Sequence, residues 1–244
     1  MGEERGRREA WQLIRLHVLV EGQTEEAFVN RILAPALASN NIIADACRIT
    51  TGRRHGRVYR GGFVRYPHLA ADLILRMKQD DRADSWFTTM VDLYRLPTDF
   101  PNHATLASGM PAAQRIAALE AAFADDIARR LAAPVSRRFI PYIQQHEFEA
   151  LLFSAPAAFA AAFPDGADLR TLHAIRASVA TPEDIDDGPD TAPSRRILRC
   201  FADYQKVVHG VLIAEHIGLD TMCRECPRFA AWLARLLALP AAAR

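Results

Sequence analysis

The feature that most constrains this chain is the join at residues 16–24. Residues 16–20 (LHVLV) form a short apolar, β-branched run that stops at Glu21-Gly22. Behind it, TEEAFVNRILAPALA places Phe28, Ile32 and Leu33 at helical spacing. A buried strand entering a tight turn and then a helix is the reading that fits. Thr24 is the expected N-cap, and Glu25 and Glu26 fall in the first turn, where the helix dipole favours anions.

The same alternation continues. Residues 42–49 suit a strand, and the Gly-rich, basic stretch TGRRHGRVYRGG behind them reads as a loop. Residues 67–78 (PHLAADLILRMK) have the spacing of an amphipathic helix. Residues 86–91 suit a second buried strand that ends at Asp92, after which Pro97 and Pro101 argue against regular structure. An Ala-rich helix is expected over 111–131, with Pro at its start. Residues 139–143 suit a third strand weakened by Pro141, and a helix is expected to begin within residues 144–153. Residues 181–194 read as a Pro/Gly/Asp loop, with long helices over 194–216 and 227–239.

Strands alternating with helices favour an α/β fold with a largely parallel sheet flanked by helices. The expected organisation is a leader over 1–15, an α/β core over 16–180, and a helical C-terminal extension over 181–244 packed on the same domain. At 244 residues, half of them hydrophobic, the chain can bury a core without disulfides or metal staples. Four cysteines make no disulfide framework. The charged start lacks the apolar stretch of a signal peptide, and Gly6 stands where a myristoylation pattern wants Ser or Thr. No apolar run approaches a membrane span, so the expected location is the cytoplasm. A net charge of +1 offers no global basic field for nucleic acid, which leaves local patches.

In an open parallel sheet, ligands sit beyond the carboxyl ends of the strands. Three expected strands end in or near acids: Glu21, Asp92 and Glu147. Glu25 lies one helical turn beyond Glu21. Carboxylates gathered at one edge repel one another and favour a divalent cation, and oxygen-only ligands suit Mg²⁺ or Mn²⁺. Acids are also common at strand ends and in first helical turns without any function, and spacing does not separate the two cases.

VEGQTEE (residues 20–26) is similar to the first Toprim motif, as written in the OLD-type nucleases. That resemblance maps its two acids onto Glu21 and Glu25. Toprim proteins carry an Asp-x-Asp on a later strand; here Asp92 matches and Tyr94 replaces the second acid. The whole pattern resembles the DUF4276 group, through VEGQTEEAFVNRILAPAL, TTMVDLYRLPTDFP, FIPYIQQHEFEALLFS, APSRRI and YQKVVHG. The resemblance covers roughly residues 16–235. It implies a Toprim-like fold, a metal-dependent nuclease site, and an ATPase partner in antiphage defence.

His146-Glu147-x-Glu149 is the next candidate. One of its acids could replace the missing second Asp, with Glu147 preferred because residues two apart on a helix do not share a face. His146 could bind substrate phosphate. Cations are needed to hold a phosphodiester. Ser194 and Arg195 at a helix start, Arg196, Lys206 on the same expected helix, and Arg53 and Arg54 in the basic loop are the candidates. A solvated basic helix face and a charged loop account for the same residues. The lone Cys223-x-x-Cys226 pair is a weak zinc signal.

Three functions follow. The leading one is a Mg²⁺- or Mn²⁺-dependent nuclease on DNA or RNA, with Glu21, Asp92 and Glu147 as catalytic residues and Glu21, Glu25, Asp92, Glu147 and Glu149 as metal ligands. The alternative is a non-catalytic, Toprim-derived binding or regulatory subunit of an ATPase system. A third is another phosphoryl-transfer enzyme using the same carboxylates.

Overall fold

The computed structural model describes residues 13–54, 57–60, 65–106, 109–164, 169–185, 188 and 190–240, with backbone alone for 51–54, 57–60 and 95. Its main sheet holds β1 (Ile14–Val20), β2 (Ile42–Arg48), β5 (Ser85–Asp92), β6 (Phe139–Ile140) and β7 (Ile143–Gln144), and a separate hairpin pairs β3 (Thr50–Arg54) with β4 (Arg57–Arg60). The sheet order is β2-β1-β5-β6, with β7 also on β5, and every pairing is parallel. The α/β architecture with a parallel sheet flanked by helices is therefore as expected.

Strand β1 sits between β2 and β5: the chain first crosses from β1 out to β2 and then returns past β1 to β5, which reverses the strand order there. The crevice at that reversal, beyond the carboxyl ends of β1 and β5, is where an open α/β sheet binds ligands. Two cores enclose the sheet. On one face Leu16, Val18 and Val20 meet α1 (Gln23–Phe28) and α2 (Ala34–Ala38), which are joined through a π-helical turn at Val29–Leu33. On the other face Leu19, Phe87 and Val91 meet α3 (Tyr66–Gln79) and α4 (Ala112–Arg130) through Leu73, Met77, Ile116 and Phe123. This two-sided burial explains why β1 and β5 read as near-continuous apolar runs rather than alternating ones.

Helices α5 (Ala133–Ser136) and α6 (Leu169–Ala177) are short additions. The C-terminal part follows as α7 (Pro193–Cys200), α8 (Val211–Ile217), α9 (Leu219–Glu225) and α10 (Pro227–Leu237). Ile213, Phe229, Trp232 and Leu236 from these helices share one core with β1. The Trp232 ring stacks on Tyr142 at 4.3 Å, and its Nε1 donates to Thr88 Oγ1 at 2.9 Å. Among the described residues, no helix is long and apolar enough to cross a membrane.

Several expected elements differ. The chain is already a strand at Ile14, so the last residues of the 1–15 leader belong to the sheet; residues 1–12 lie outside the described residues. The basic stretch is a hairpin rather than a loop, since Arg53 and Arg54 pair with Val58 and Arg57; His55 lies outside the described residues. Gly22, not Thr24, is the N-cap of α1. Pro141 lacks an N–H and splits the third strand into β6 and β7. The Thr89 hydroxyl fills the gap, donating to Tyr142 O at 2.9 Å and accepting from Tyr142 N at 3.0 Å.

Two expected helices are broken. Residues 144–153 do not form an α-helix: the chain leaves β7, turns at His146 with φ 63°, and enters a 3₁₀ segment at Phe148–Ser154. Residues 194–216 are interrupted after Cys200. The aromatics Phe201 and Tyr204 turn inward to the core there, and helix resumes as a π turn at Lys206–Gly210.

Candidate carboxylate site

The backbone brings the acids to the β1/β5 crevice from three directions. Glu21 follows the last residue of β1, and Asp92 is the last residue of β5. Glu25 stands on the first turn of α1, where its Oε2 accepts the Gly22 N–H at 2.9 Å. A Cβ at Gly22 would lie 3.1 Å from that oxygen, so the close approach suits glycine. His146 in the left-handed region redirects the chain after β7, and its carbonyl accepts the Tyr94 N–H at 3.0 Å. That bond ties the segment carrying Glu147 and Glu149 to the turn behind Asp92.

Because residues 147–149 are not a regular helix, Glu147 and Glu149 both reach the same cation. Lys206 Nζ lies 2.8 Å from Glu149 Oε1 and 3.9 Å from Glu147 Oε1. The helical argument that preferred Glu147 over Glu149 does not hold here. Glu149 is 1 % exposed and is the closer partner of the lysine.

The electrostatics join all five acids. Burial, reinforced by Glu25, Glu21 and Glu149, pushes the Asp92 carboxyl well above the usual range, with Lys206 opposing. Burial also raises Glu25, with Glu21 adding to it, and burial raises Glu149 against the pull of Lys206. Burial pulls Lys206 down, but Glu149 and Glu147 outweigh it and the amine is raised overall. Tyr204 is pushed well above its ordinary value by burial and by Glu149 and Glu147. Lys206 thus acts on four of these carboxylates, Glu25, Asp92, Glu147 and Glu149, while Glu21 presses on Glu25 and Asp92. Among the described residues, Asp92 Oδ1 is buried without a hydrogen-bond partner.

That arrangement fits a hard divalent cation in donor chemistry and in charge, since every donor is an oxygen. Among the described residues, no three of these acids bring donor atoms within 4.8 Å of one another. An ion bridging three of them therefore requires side-chain rotation.

The expected phosphate clamp is arranged otherwise. The Ser194 N–H at the start of α7 donates to Glu147 Oε2 at 2.9 Å, so that helix end already holds a carboxylate. Arg196 Nε donates to Thr191 O at 2.6 Å, and Arg195 is exposed. His146 is buried. Lys206 stands among the acids rather than on a free basic face. Arg53 and Arg54 belong to the hairpin, outside the main sheet. Cys226 is buried against Ser154 at 3.3 Å, which is a core contact. Tyr204 was not foreseen as a site residue, although it opens the YQKVVHG motif that carries the family resemblance. A cleft of about 810 Å³ lies elsewhere, along α4. Its acid Asp126 is already held by the Tyr66 hydroxyl and by Arg130.

In structure, the chain is similar to the C-terminal region of the Burkholderia pseudomallei OLD protein. The two share 15 % identity over 92 % of this chain and 97 % of that one, with a TM-score of 0.43. It is also similar to the C-terminal region of the Xanthomonas campestris pv. campestris OLD protein, at 16 % identity, over 92 % and 94 %, with a TM-score of 0.38. No curated protein matches it in sequence. Residues 20–237 match the family described as domain of unknown function DUF4276, and the chain belongs to that family.

Proposed function

We propose that the chain is a metal-dependent phosphodiesterase acting on nucleic acid, with Glu21 and Asp92 as the principal ligands of Mg²⁺ or Mn²⁺ and Glu25, Glu147 and Glu149 completing the site. The observation that carries this reading is the gathering of Glu25, Asp92, Glu147 and Glu149 about Lys206 beside Glu21, with an oxygen of Asp92 that is buried and partnerless among the described residues. Crowding acids in this way costs stability, since each must either hold its proton or carry a poorly compensated buried charge. Charge-frustrated clusters in a crevice are a recurrent mark of functional sites.

A bound divalent cation would lower the pKa of a coordinated water and neutralise charge on the scissile phosphate. The chain's own residues supply the rest. Asp92 and Glu21, at two adjacent strand ends, would hold the cation by their carboxylate oxygens. Glu147 is oriented by the Ser194 N–H. Lys206 is held by Glu149 and offers a positive charge to the phosphate oxygens that gain charge during displacement.

A second reading is a binding or regulatory subunit for an ATPase partner. Tyr94, exposed, takes the place of a second acid two residues beyond Asp92, and Lys206 already compensates Glu149. Single- and double-stranded DNA and RNA, each incubated with Mg²⁺ or Mn²⁺, separate the two readings. Cleavage by the wild type that is lost in Glu21→Ala and Asp92→Ala supports the enzyme. No cleavage with any metal, together with co-purification of an ATPase, replaces it with the subunit.

A further inference from the structure

A second cluster lies away from the carboxylate site. His17 on β1 and Asp45 on β2 are direct cross-strand partners, and Cys47 is two residues beyond Asp45 on the same face of β2. Period-two spacing thus sets three chemically different donors side by side at the sheet's edge. Their ligand atoms all lie within 4.8 Å of one another. His17 Nδ1 is 2.8 Å from Asp45 Oδ1, and Cys47 Sγ is 3.0 Å from Asp45 Oδ2.

The imidazole is held in place from behind. Its Nε2 is 2.9 Å from Asp80 Oδ2, and the ring stacks on Phe87 at 5.0 Å. Asp80 is itself fixed by two bonds from Arg82 and one from the Ser85 hydroxyl, each 2.7 Å. A carboxylate that orients the far nitrogen of a histidine is the arrangement that supports metal-ligating histidines. A purely structural ion pair would need neither the thiol nor this second carboxylate.

We infer that His17, Asp45 and Cys47 form a binding site for a thiophilic divalent cation of the zinc class, with Asp80 as the outer partner of His17. One nitrogen, one oxygen and one sulfur ligand match the donors zinc takes, and three protein ligands leave a fourth position for water or an exogenous ligand. The thiolate selects against Mg²⁺, so the site is distinct in chemistry from the all-oxygen cluster at the β1/β5 crevice. An ion can reach it, because the Asp45 side chain is 54 % exposed. Binding would release the proton shared by His17 and Asp45 and the proton of the Cys47 thiol, leaving Asp80 to accept the remaining imidazole N–H.

Titration of the full chain with Co²⁺ reads this directly, because cobalt bound to a thiolate shows an intense near-ultraviolet charge-transfer band that oxygen ligands do not give. The expected result is a saturable band, abolished by stoichiometric Zn²⁺ but not by excess Mg²⁺. It is lost in Cys47→Ser and retained in Cys223→Ser. Asp80→Asn, which keeps all three ligands, weakens binding about 10- to 100-fold. The inference is overturned if the wild type shows no thiolate band, or if the band survives in Cys47→Ser and disappears in Cys223→Ser.

Discussion

Gly210 ends the π turn that carries Lys206, and its backbone is ordinary helix, φ −62° and ψ −42°. Alanine is therefore allowed by the backbone and would gain about 1 kcal/mol in helix propensity. The obstacle is the neighbour. A Cβ at this position meets the Tyr204 hydroxyl oxygen at 2.6 Å, where ordinary contact begins at 3.4 Å. Tyr204 is 6 % exposed, with its ring among core side chains, so the hydroxyl cannot retreat without moving the ring. Overpacking of this kind costs about 1–3 kcal/mol. Set against the propensity gain, Gly210→Ala should destabilise the chain by up to about 2 kcal/mol, or up to roughly 8 °C in Tm for a chain of this size. Tyr204→Phe removes the clashing atom, so adding Gly210→Ala on that background should be neutral or stabilising. Thermal and urea unfolding of the four proteins of the cycle measure the coupling. The reasoning is refuted if Gly210→Ala raises Tm in the wild type, or lowers it equally in both backgrounds.

Other perturbations probe separate features. Asp92→Asn removes a buried carboxyl pressed by Glu25, Glu21 and Glu149. In chelator it should stabilise the fold by about 0.5–2 kcal/mol, the range of typical stabilising substitutions, and it should lose the Tm increase that Mn²⁺ gives the wild type. Trp232→Phe keeps the stack on Tyr142 but loses the hydrogen bond to Thr88. A loss of about 1–2 kcal/mol by urea unfolding is expected, with the carboxylate site unaffected. Burial raises Glu120 above its ordinary 4.5, although the Ile143 N–H and Arg228 oppose the shift. The folded state then holds this proton more tightly than the unfolded chain does. The contribution is complete below pH 4.5 and is lost as pH rises through the higher folded value. Relative to Glu120→Gln, the wild type should lose stability as pH rises from about 4.5 through the raised folded value; a relative gain over that range would contradict the assignment.

The acids at strand ends were legible because their signal is local. An apolar run of buried-strand length that stops at a charged residue locates Glu21 and Asp92 without knowledge of the fold, and the parallel sheet follows from the helices between the runs. What surrounds those acids was not legible, because it depends on breaks in regular structure. The left-handed turn at His146 carries no Gly or Asn to announce it, so residues 144–153 read as a helix and Glu149 as facing away. Likewise the interruption after Cys200 is set by Phe201 and Tyr204 packing inward. Tertiary burial of that kind overrides a helical pattern and delivers Lys206 to the acids. The hairpin escaped notice because Arg-rich, Gly-containing strands carry little apolar alternation. The cluster at His17 escaped for a different reason: its partners lie on neighbouring strands, and register between strands is not written in either one alone.

Whether the acids around Lys206 serve metal-dependent phosphodiester cleavage is decided by a single assay. Mn²⁺-dependent cleavage of labelled single- and double-stranded nucleic acid is measured for the wild type and Asp92→Asn, with both proteins checked for an intact fold. With Asp92 as a ligand of the cation, cleavage should disappear on chelation and fall at least about 100-fold in Asp92→Asn. Cleavage undiminished by Asp92→Asn, or a wild type inert with every metal and substrate, would contradict that role.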